Sequence, residues 1–409
     1  MSGWAGKEDL KSIEPGMLAR LHEGGLGFMR IGDKNLLPIV QGGMGVGISA
    51  HALAGKVASL GGVGTISSID LRRLHPDLMA KTDHLPASDK TKTAINAANL
   101  IALEREILSA RELAKGYGML AVNVMRAVSE YQPYITKALE SGIDAVVVGA
   151  GLPLDLPDLA QDFPKVNLIP ILSDARGLQL IVKKWERKGR LPNAIILEHP
   201  RLAGGHLGAN KVEDLNHPKY DFINSITESI EFLKNAGLEG LIPLIAAGGI
   251  TTREDIQQVQ AYGASGAQIG TAFAVTHESA AHPNFKRTLA EAKPEDIVEF
   301  ISVAGLPARA IKTPWLIKYL ATEPKLKAVA HKKAHCTMSF DCLIECGLRD
   351  GNAAVGQFCI DKHLGFALEG DLDKGLFFRG AGKLPFGSEI KSVQELMNHL
   401  LAGPIPTSI

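Results

Sequence analysis

The segment Leu244–Ile250, with the sequence LIAAGGI, runs from four apolar residues into a pair of glycines. A second segment of this kind, ASGAQIGT, occupies residues 264–271. Each is typical of a buried strand that ends in a tight turn. Glycines at such turns let backbone N–H groups approach the oxygens of a phosphate group. Because two such turns follow consecutive strands, the pattern favours a phosphate site over two ordinary turns.

The rest of the chain places these two strands at the end of a longer series. Short apolar runs alternate with helical patterns, which predicts a parallel sheet covered by helices. Eight runs occur, at Pro38–Gln41, Gly62–Ile66, Met119–Val124, Ala145–Val148, Leu168–Leu172, Ala194–Leu197, Pro243–Ala247 and Gly266–Ile269. An open sheet also fits this rhythm. Phosphate-type glycines after the seventh and eighth strands favour an α/β fold of the (β/α)8 TIM-barrel type.

Three parts of the chain are expected. They are an N-terminal segment at residues 1–35, the barrel at 36–280 with loop insertions, and an extension at 281–409 packed on the barrel. Residues from about 283 to 326 have a helical pattern, and a last helix is expected around residues 392–401. The cysteines of the chain also lie in this extension.

Charge and composition exclude several classes of partner. Lys and Arg together number 44, as do Asp and Glu, so no basic excess points to nucleic acid or to an anionic membrane surface. No segment reaches the ~18 consecutive apolar residues of a membrane helix, and the N-terminus has no signal-peptide pattern. We therefore expect a cytoplasmic protein with a small-molecule substrate, and the sequence leaves open whether it forms a homo-oligomer.

Two further glycine-rich segments carry candidate functional residues. The segment PIVQGGMG at residues 38–45 ends the first strand with backbone that a flat ring can approach closely. The segment AGGHLG at 203–208 lies in the long loop after the sixth strand. A histidine flanked by glycines is a poor core residue, and it titrates near neutral pH, so His206 is a candidate acid, base or hydrogen-bond donor.

Together these segments resemble the nitronate monooxygenase (2-nitropropane dioxygenase) family of FMN barrels, which includes enoyl-acyl-carrier-protein reductases and NAD(P)H:quinone reductases. The resemblance covers about residues 36–312 and rests on these segments: 38–45, 59–65, 122–124, 203–208, 246–250, 268–273 and 305–310.

The resemblance implies a set of FMN contacts and a catalytic residue. His206 would be the catalytic histidine, which takes a C–H proton or binds nitronate oxygens. Residues Gly248, Gly249, Gly270 and Thr271 would hold the phosphate. The isoalloxazine ring would lie against Gly42, Gly43 and Met44, with Asn123 and Gln41 near its polar edge. The remaining cofactor contacts would be Gly204, Gly205 and Gln268.

The sequence departs from the family pattern just before the histidine. Leu202 stands where the family often has Glu, and the stretch before the histidine is longer than expected. The segment 199–201, His-Pro-Arg, adds charge beside the expected site. These departures leave the substrate open.

All four cysteines fall within one short stretch of the extension, at Cys336, Cys342, Cys346 and Cys359. Four thiolates from one segment can bind an iron–sulfur cluster or Zn²⁺. The spacing between Cys342 and Cys346 would place both on one helix face. Reduced cysteines packed against the barrel fit the sequence equally well.

The leading hypothesis is an FMN-dependent oxidoreductase that oxidises an anionic, nitronate-like substrate with O2. A second hypothesis is a reductase of quinones or enoyl thioesters with NAD(P)H as co-substrate, to which an iron–sulfur centre could pass electrons. A third is a non-catalytic flavin-binding subunit. A fourth hypothesis is another phosphate-binding barrel, such as an isomerase. Only the glycine turns of this chain are shared with such proteins.

Overall fold

The computed structural model describes residues 10–83, 85–86, 88–338, 340 and 342–403. Its strands, in chain order, are β1 (Met29–Ile31), β2 (Lys34–Leu36), β3 (Ile39–Gln41), β4 (Val63–Ser67), β5 (Met119–Met125), β6 (Ala145–Gly149), β7 (Asn167–Leu172), β8 (Ile195–Glu198), β9 (Gly205–His206), β10 (Leu244–Ala247), β11 (Gly266–Ile269), β12 (Ile297–Ile301) and β13 (Pro307–Ile311).

Eight of these strands form a closed parallel barrel in the order β10-β11-β3-β4-β5-β6-β7-β8. Each of the eight apolar runs in the sequence overlaps one barrel strand, so the predicted (β/α)8 barrel is confirmed. The described helices are α1 (Pro15–Glu23), α2 (His51–Ser59), α3 (Pro76–Thr82), α4 (Asp89–Ala114), α5 (Tyr131–Glu140), α6 (Leu156–Leu159), α7 (Ala175–Glu186), α8 (Phe222–Asn235), α9 (Arg253–Ala261), α10 (Thr271–Ala274), α11 (Pro283–Glu291), α12 (Pro314–Ala328), α13 (Gly347–Asp350), α14 (Ile360–Leu368) and α15 (Val393–Ala402).

The barrel interior is filled by alternate residues of its strands, because successive side chains of a strand point to opposite faces. The antiparallel hairpin β1–β2 fills one end of the barrel: Met29, Ile31 and Leu36 pack with interior residues such as Val40 and Val63. The opposite end of the barrel, where the carboxyl ends of the strands lie, contains a cavity.

The extension differs from the predicted helical pattern. Residues 297–301 and 307–311 form an antiparallel hairpin, β12–β13, rather than a helix. The turn contains Gly305 at φ +76°, a conformation that glycine adopts without steric cost. β13 also pairs with β9, with Ala308 opposite His206. The sequence predicts a helix here because a short buried strand and a segment of a buried helix have similar apolar patterns.

The last predicted helix is confirmed as α15, which begins after a Ser392 N-cap whose hydroxyl accepts from the N–H of Glu395. α15 packs against α1, α2 and α9, so the end of the described chain returns to the barrel. None of the helices in the described ranges is long and apolar enough to span a membrane.

Candidate active site

A cavity of about 280 Å³ lies between the carboxyl ends of the barrel strands and the extension. Most of the predicted site residues line it together, although they come from five different parts of the chain. These residues are Gly42, Gly43, Met44, Asn123, Gly204, Gly205, His206, Gly248, Gly249, Gln268, Gly270 and Thr271.

Gln41 is placed differently from the other predicted cofactor residues. Its buried amide donates to the carbonyl oxygen of Gly42 and accepts from the N–H of Thr65 at 2.9 Å. Gln41 therefore joins β3 to β4 beneath the cavity and does not line it.

The floor of the cavity is the last layer of side chains inside the barrel mouth. Four polar side chains belong to it, each at or near the carboxyl end of a strand: Ser67, Asn123, Glu198 and Gln268. Asn123 packs so closely on β3 that a Cβ at Gly43 would lie 2.4 Å from the Asn123 Cβ. Glycine at position 43 is thus required by packing within the protein.

Glu198 is the one ionisable group of this floor, and sequence reasoning missed it. Ala194 and Ile196 of the same strand face the barrel interior, so the twofold alternation turns Glu198 inward as well. Burial raises the pKa of Glu198 to about 7, against a smaller opposing effect of Arg309. Its carboxyl group makes no hydrogen bond or ion pair with the described residues. The sequence does contain a signal for this residue, because Glu198 is a carboxylate at the end of an otherwise apolar strand.

The two glycine turns form one side of the cavity. Gly248 and Gly249 have φ values of +113° and +72°, which other residues rarely adopt. Thr252 caps α9, and the carboxylate of Asp255 accepts from the N–H groups of Thr251 and Thr252 at 2.9 Å each. Those two amides are therefore already satisfied by the protein.

His206 lies on the opposite side of the cavity, on β9. Its Nε2 is 3.0 Å from the hydroxyl of Ser302, which also accepts from the N–H of Ala304 at 3.3 Å. The ring of Phe378 packs beside the imidazole, with centroids 5.6 Å apart. Burial lowers the pKa of His206 to about 4, so its imidazole is neutral at pH 7.

The loop before His206 is held by Arg309 of β13. The buried Arg309 guanidinium donates to the carbonyl oxygens of Pro200 and Ala203, and its Nε lies 2.8 Å from Glu299. The charge expected at residues 199–201 lies outside the cavity, because Arg201 pairs with Asp221 at 2.9 Å. Leu202, by contrast, lines the cavity.

The extension closes the cavity, and its contribution had no signal in the sequence. The segment Arg379–Gly382 lies on the glycine turns: the N–H of Gly380 donates to Thr271 Oγ1 at 3.1 Å, and a Cβ at Gly382 would lie 3.2 Å from Gly249. A Cβ at Gly204 would lie 2.5 Å from the backbone of this segment. Glycine at 204 therefore permits the extension to close.

A buried ionic cluster fixes another part of the extension to the barrel. Arg73 bonds Asp361 of α14 at 2.7 Å and Asp70 at 2.6 Å, and Arg72 pairs with Asp70 at 2.8 Å. Asp361 also lines the cavity. Burial raises the pKa of Asp361 to about 6, and the charge of Asp70 adds to the effect.

The cysteines do not lie on a common helix face. Residues 342–346 are not helical, and Cys346 is the N-cap of α13. Cys342 lines the cavity, and burial, with smaller effects of the other three thiols, raises its pKa. Among the described residues, no three or more His, Cys, Asp or Glu side chains are arranged to hold a metal ion. Metal binding by the four cysteines stays a prediction.

Comparison with known proteins supports the same reading of the chain. The family model described as nitronate monooxygenase matches residues 33–403. The chain belongs to the nitronate monooxygenase family. A probable nitronate monooxygenase of Bacillus subtilis (strain 168) is 27% identical over 298 residues, which cover 68% of this chain and 77% of the relative. Members of the family are flavin-dependent oxidoreductases, and the chain is an enzyme of that class.

Two solved structures share the fold. FabK from Thermotoga maritima is similar with a TM-score of 0.62 and 23% identity, covering 90% of this chain and 92% of that one. A nitroalkane oxidase from Streptomyces ansochromogenes gives a TM-score of 0.59 and 20% identity, covering 90% and 95%. At these identities the likeness concerns the fold alone.

The cavity has the features that a bound flavin requires. Gln268 Oε1 is buried on the floor without a hydrogen-bond partner among the described residues, so a bound molecule that donates to it would remove a cost of ~1–3 kcal/mol. A Cβ at Gly270 would meet only Met44 Sδ, at 3.9 Å. Space at this turn and an unsatisfied acceptor on the floor fit a flat polar ring joined to a phosphate.

Proposed function

We propose that the chain is an FMN-dependent enzyme that oxidises an anionic nitronate with O2. The observation that carries the proposal is the place of His206, which faces the same cavity as the two glycine turns and the polar floor. FMN would be held by Gly248, Gly249, Gly270 and Thr271 at its phosphate and by the floor amides at its ring. When bound, it supplies the redox chemistry by taking electrons from the substrate and returning them to O2.

The electrostatics of His206 favour binding of an anion over removal of a C–H proton. With a pKa of about 4, protonating the imidazole at pH 7 costs about 4 kcal/mol. A neutral imidazole is therefore a weak base here, yet one ring N–H can donate to a nitronate oxygen. The negative charge of that oxygen in turn stabilises a protonated imidazole. Ser302 holds the ring in place in either tautomer.

A direct test compares a nitronate with its parent nitroalkane. We expect oxygen consumption with a preformed alkyl nitronate to exceed that with the neutral nitroalkane at the same pH by at least about tenfold. If the nitronate and the nitroalkane react at equal rates, and if both rates rise with pH as His206 loses its proton, His206 would instead be identified as a general base. The same assay with each substrate omitted gives the background.

A second candidate function is supported by the apolar wall that the extension gives the cavity. Leu343, Ile360, Leu364 and Phe378 line it, together with Val128 of the barrel. Such a wall suits the chain of an enoyl thioester or a quinone ring better than a small nitronate. Oxidation of NADH or NADPH that depends on either acceptor, without reaction of nitronates, would favour this reductase.

A further inference from the structure

Arg379 is the only lysine or arginine among the described residues that line the cavity. The other ionisable groups there include the carboxyl groups of Glu198 and Asp361 and the neutral imidazole of His206. A phosphate group that binds in this cavity brings up to two negative charges, so a cationic partner is expected near the phosphate.

Arg379 is buried, with 5% of its surface exposed, and no carboxylate among the described residues pairs with it. Its Nε donates to the carbonyl oxygen of Leu289 at 2.9 Å, and its Nη1 donates to that of Gly380 at 2.7 Å. Burial lowers the pKa of the guanidinium, and this is the sole cause of the change. A buried cation that has only carbonyl partners is costly unless an anion joins it.

The backbone brings this cation to the phosphate turns. The guanidinium bonds the carbonyl oxygen of Gly380, while the N–H of the same residue donates to Thr271 Oγ1. The glycine at position 204 lets the segment approach this closely. The positive charge therefore lies within roughly 9 Å of Thr271 Oγ1, the length of one residue plus two hydrogen bonds.

We propose that Arg379 supplies the positive charge that binds the phosphate of FMN, and that it makes the chain prefer FMN to riboflavin. This inference rests on the proposed FMN function. It assigns to a residue of the extension a role that the barrel turns alone do not provide. The extension then completes the cofactor site as well as covering it.

The test is an equilibrium titration of the full-length, flavin-free protein with FMN and, separately, with riboflavin, followed by flavin fluorescence. The variant Arg379→Gln is expected to bind FMN more weakly by roughly tenfold to a hundredfold, as Coulomb's law gives for unit charges about 9 Å apart at an effective dielectric constant near 20. Riboflavin affinity should change by less than about threefold. Arg379→Lys should keep most of the preference for FMN.

Arg309→Gln is the matched control, because Arg309 is equally buried and also bonds carbonyl oxygens but does not line the cavity. It should alter the two affinities by similar factors. Equal losses of FMN and riboflavin affinity in Arg379→Gln, or no loss, would overturn the proposal. So would a wild-type protein that binds riboflavin as tightly as FMN at low ionic strength, a result that needs no variant. Failure of the wild type to bind either flavin would instead contradict the proposed function.

Discussion

Replacing Glu198 by Gln should make the protein more stable at neutral and alkaline pH. The half-buried carboxyl group lies on the cavity floor, where its pKa of about 7 exceeds the ordinary 4.5. The folded protein therefore holds this proton more tightly than the unfolded chain. Stability from this group is fully present below pH 4.5 and is lost as the pH rises to about 7. The difference between the two pKa values corresponds to about 3 kcal/mol.

The assay is urea unfolding of the protein without added flavin at pH 5 and at pH 8, for the wild type and Glu198→Gln. The amide of glutamine is nearly isosteric with the carboxyl group and does not ionise. The free energy of unfolding of Glu198→Gln, relative to that of the wild type, should therefore be about 2–3 kcal/mol higher at pH 8 than at pH 5. Glu239→Gln, at an exposed position, shows what removing one surface carboxylate does. If Glu198→Gln changes the free energy of unfolding equally at both pH values, Glu198 does not have a raised pKa in the folded protein.

Three further predictions concern the cavity. His206→Ala should leave FMN bound, as read from its absorbance, but lower kcat/KM with a nitronate at least about a hundredfold, because the imidazole is proposed to contact the substrate; full activity would exclude this role. Ser302→Ala should lower kcat about three- to tenfold, the worth of one orienting hydrogen bond, without changing the FMN Kd, and an unchanged kcat would show that the ring is held without it. Gly43→Ala should weaken FMN binding and lower Tm, since its Cβ would collide with Asn123; a calorimetric scan with an unchanged Tm would contradict this packing.

The fold was predictable because barrel strands carry their own signal. Runs such as residues 145–148 are apolar on both faces, and the glycines after the seventh and eighth strands mark the phosphate side of a barrel. The extension was not predictable in the same way. One strand of its hairpin, β13, also pairs with β9, about a hundred residues earlier in the chain. No local pattern reports such a pairing.

The residues of the candidate site were also predictable only in part. The glycine turns and His206 stand out in the sequence, because paired glycines follow several apolar strands and one such pair precedes the histidine. Glu198 could have been found from the alternation along β8, which turns it inward. Arg379 could not, because only the folded extension brings its neighbour Gly380 to Thr271. The cysteines cluster in sequence, yet among them the structure places only Cys342 against the cavity.

If this cavity binds FMN, and if the bound flavin exchanges electrons with a nitronate, the visible absorbance spectrum of the purified protein should report both. The spectrum is taken free of oxygen, before and after addition of an alkyl nitronate. We expect flavin bands that bleach with the nitronate and return when O2 is admitted. A protein that shows no flavin bands even after FMN is supplied, or whose flavin bleaches with NADPH and not with the nitronate, would contradict this expectation.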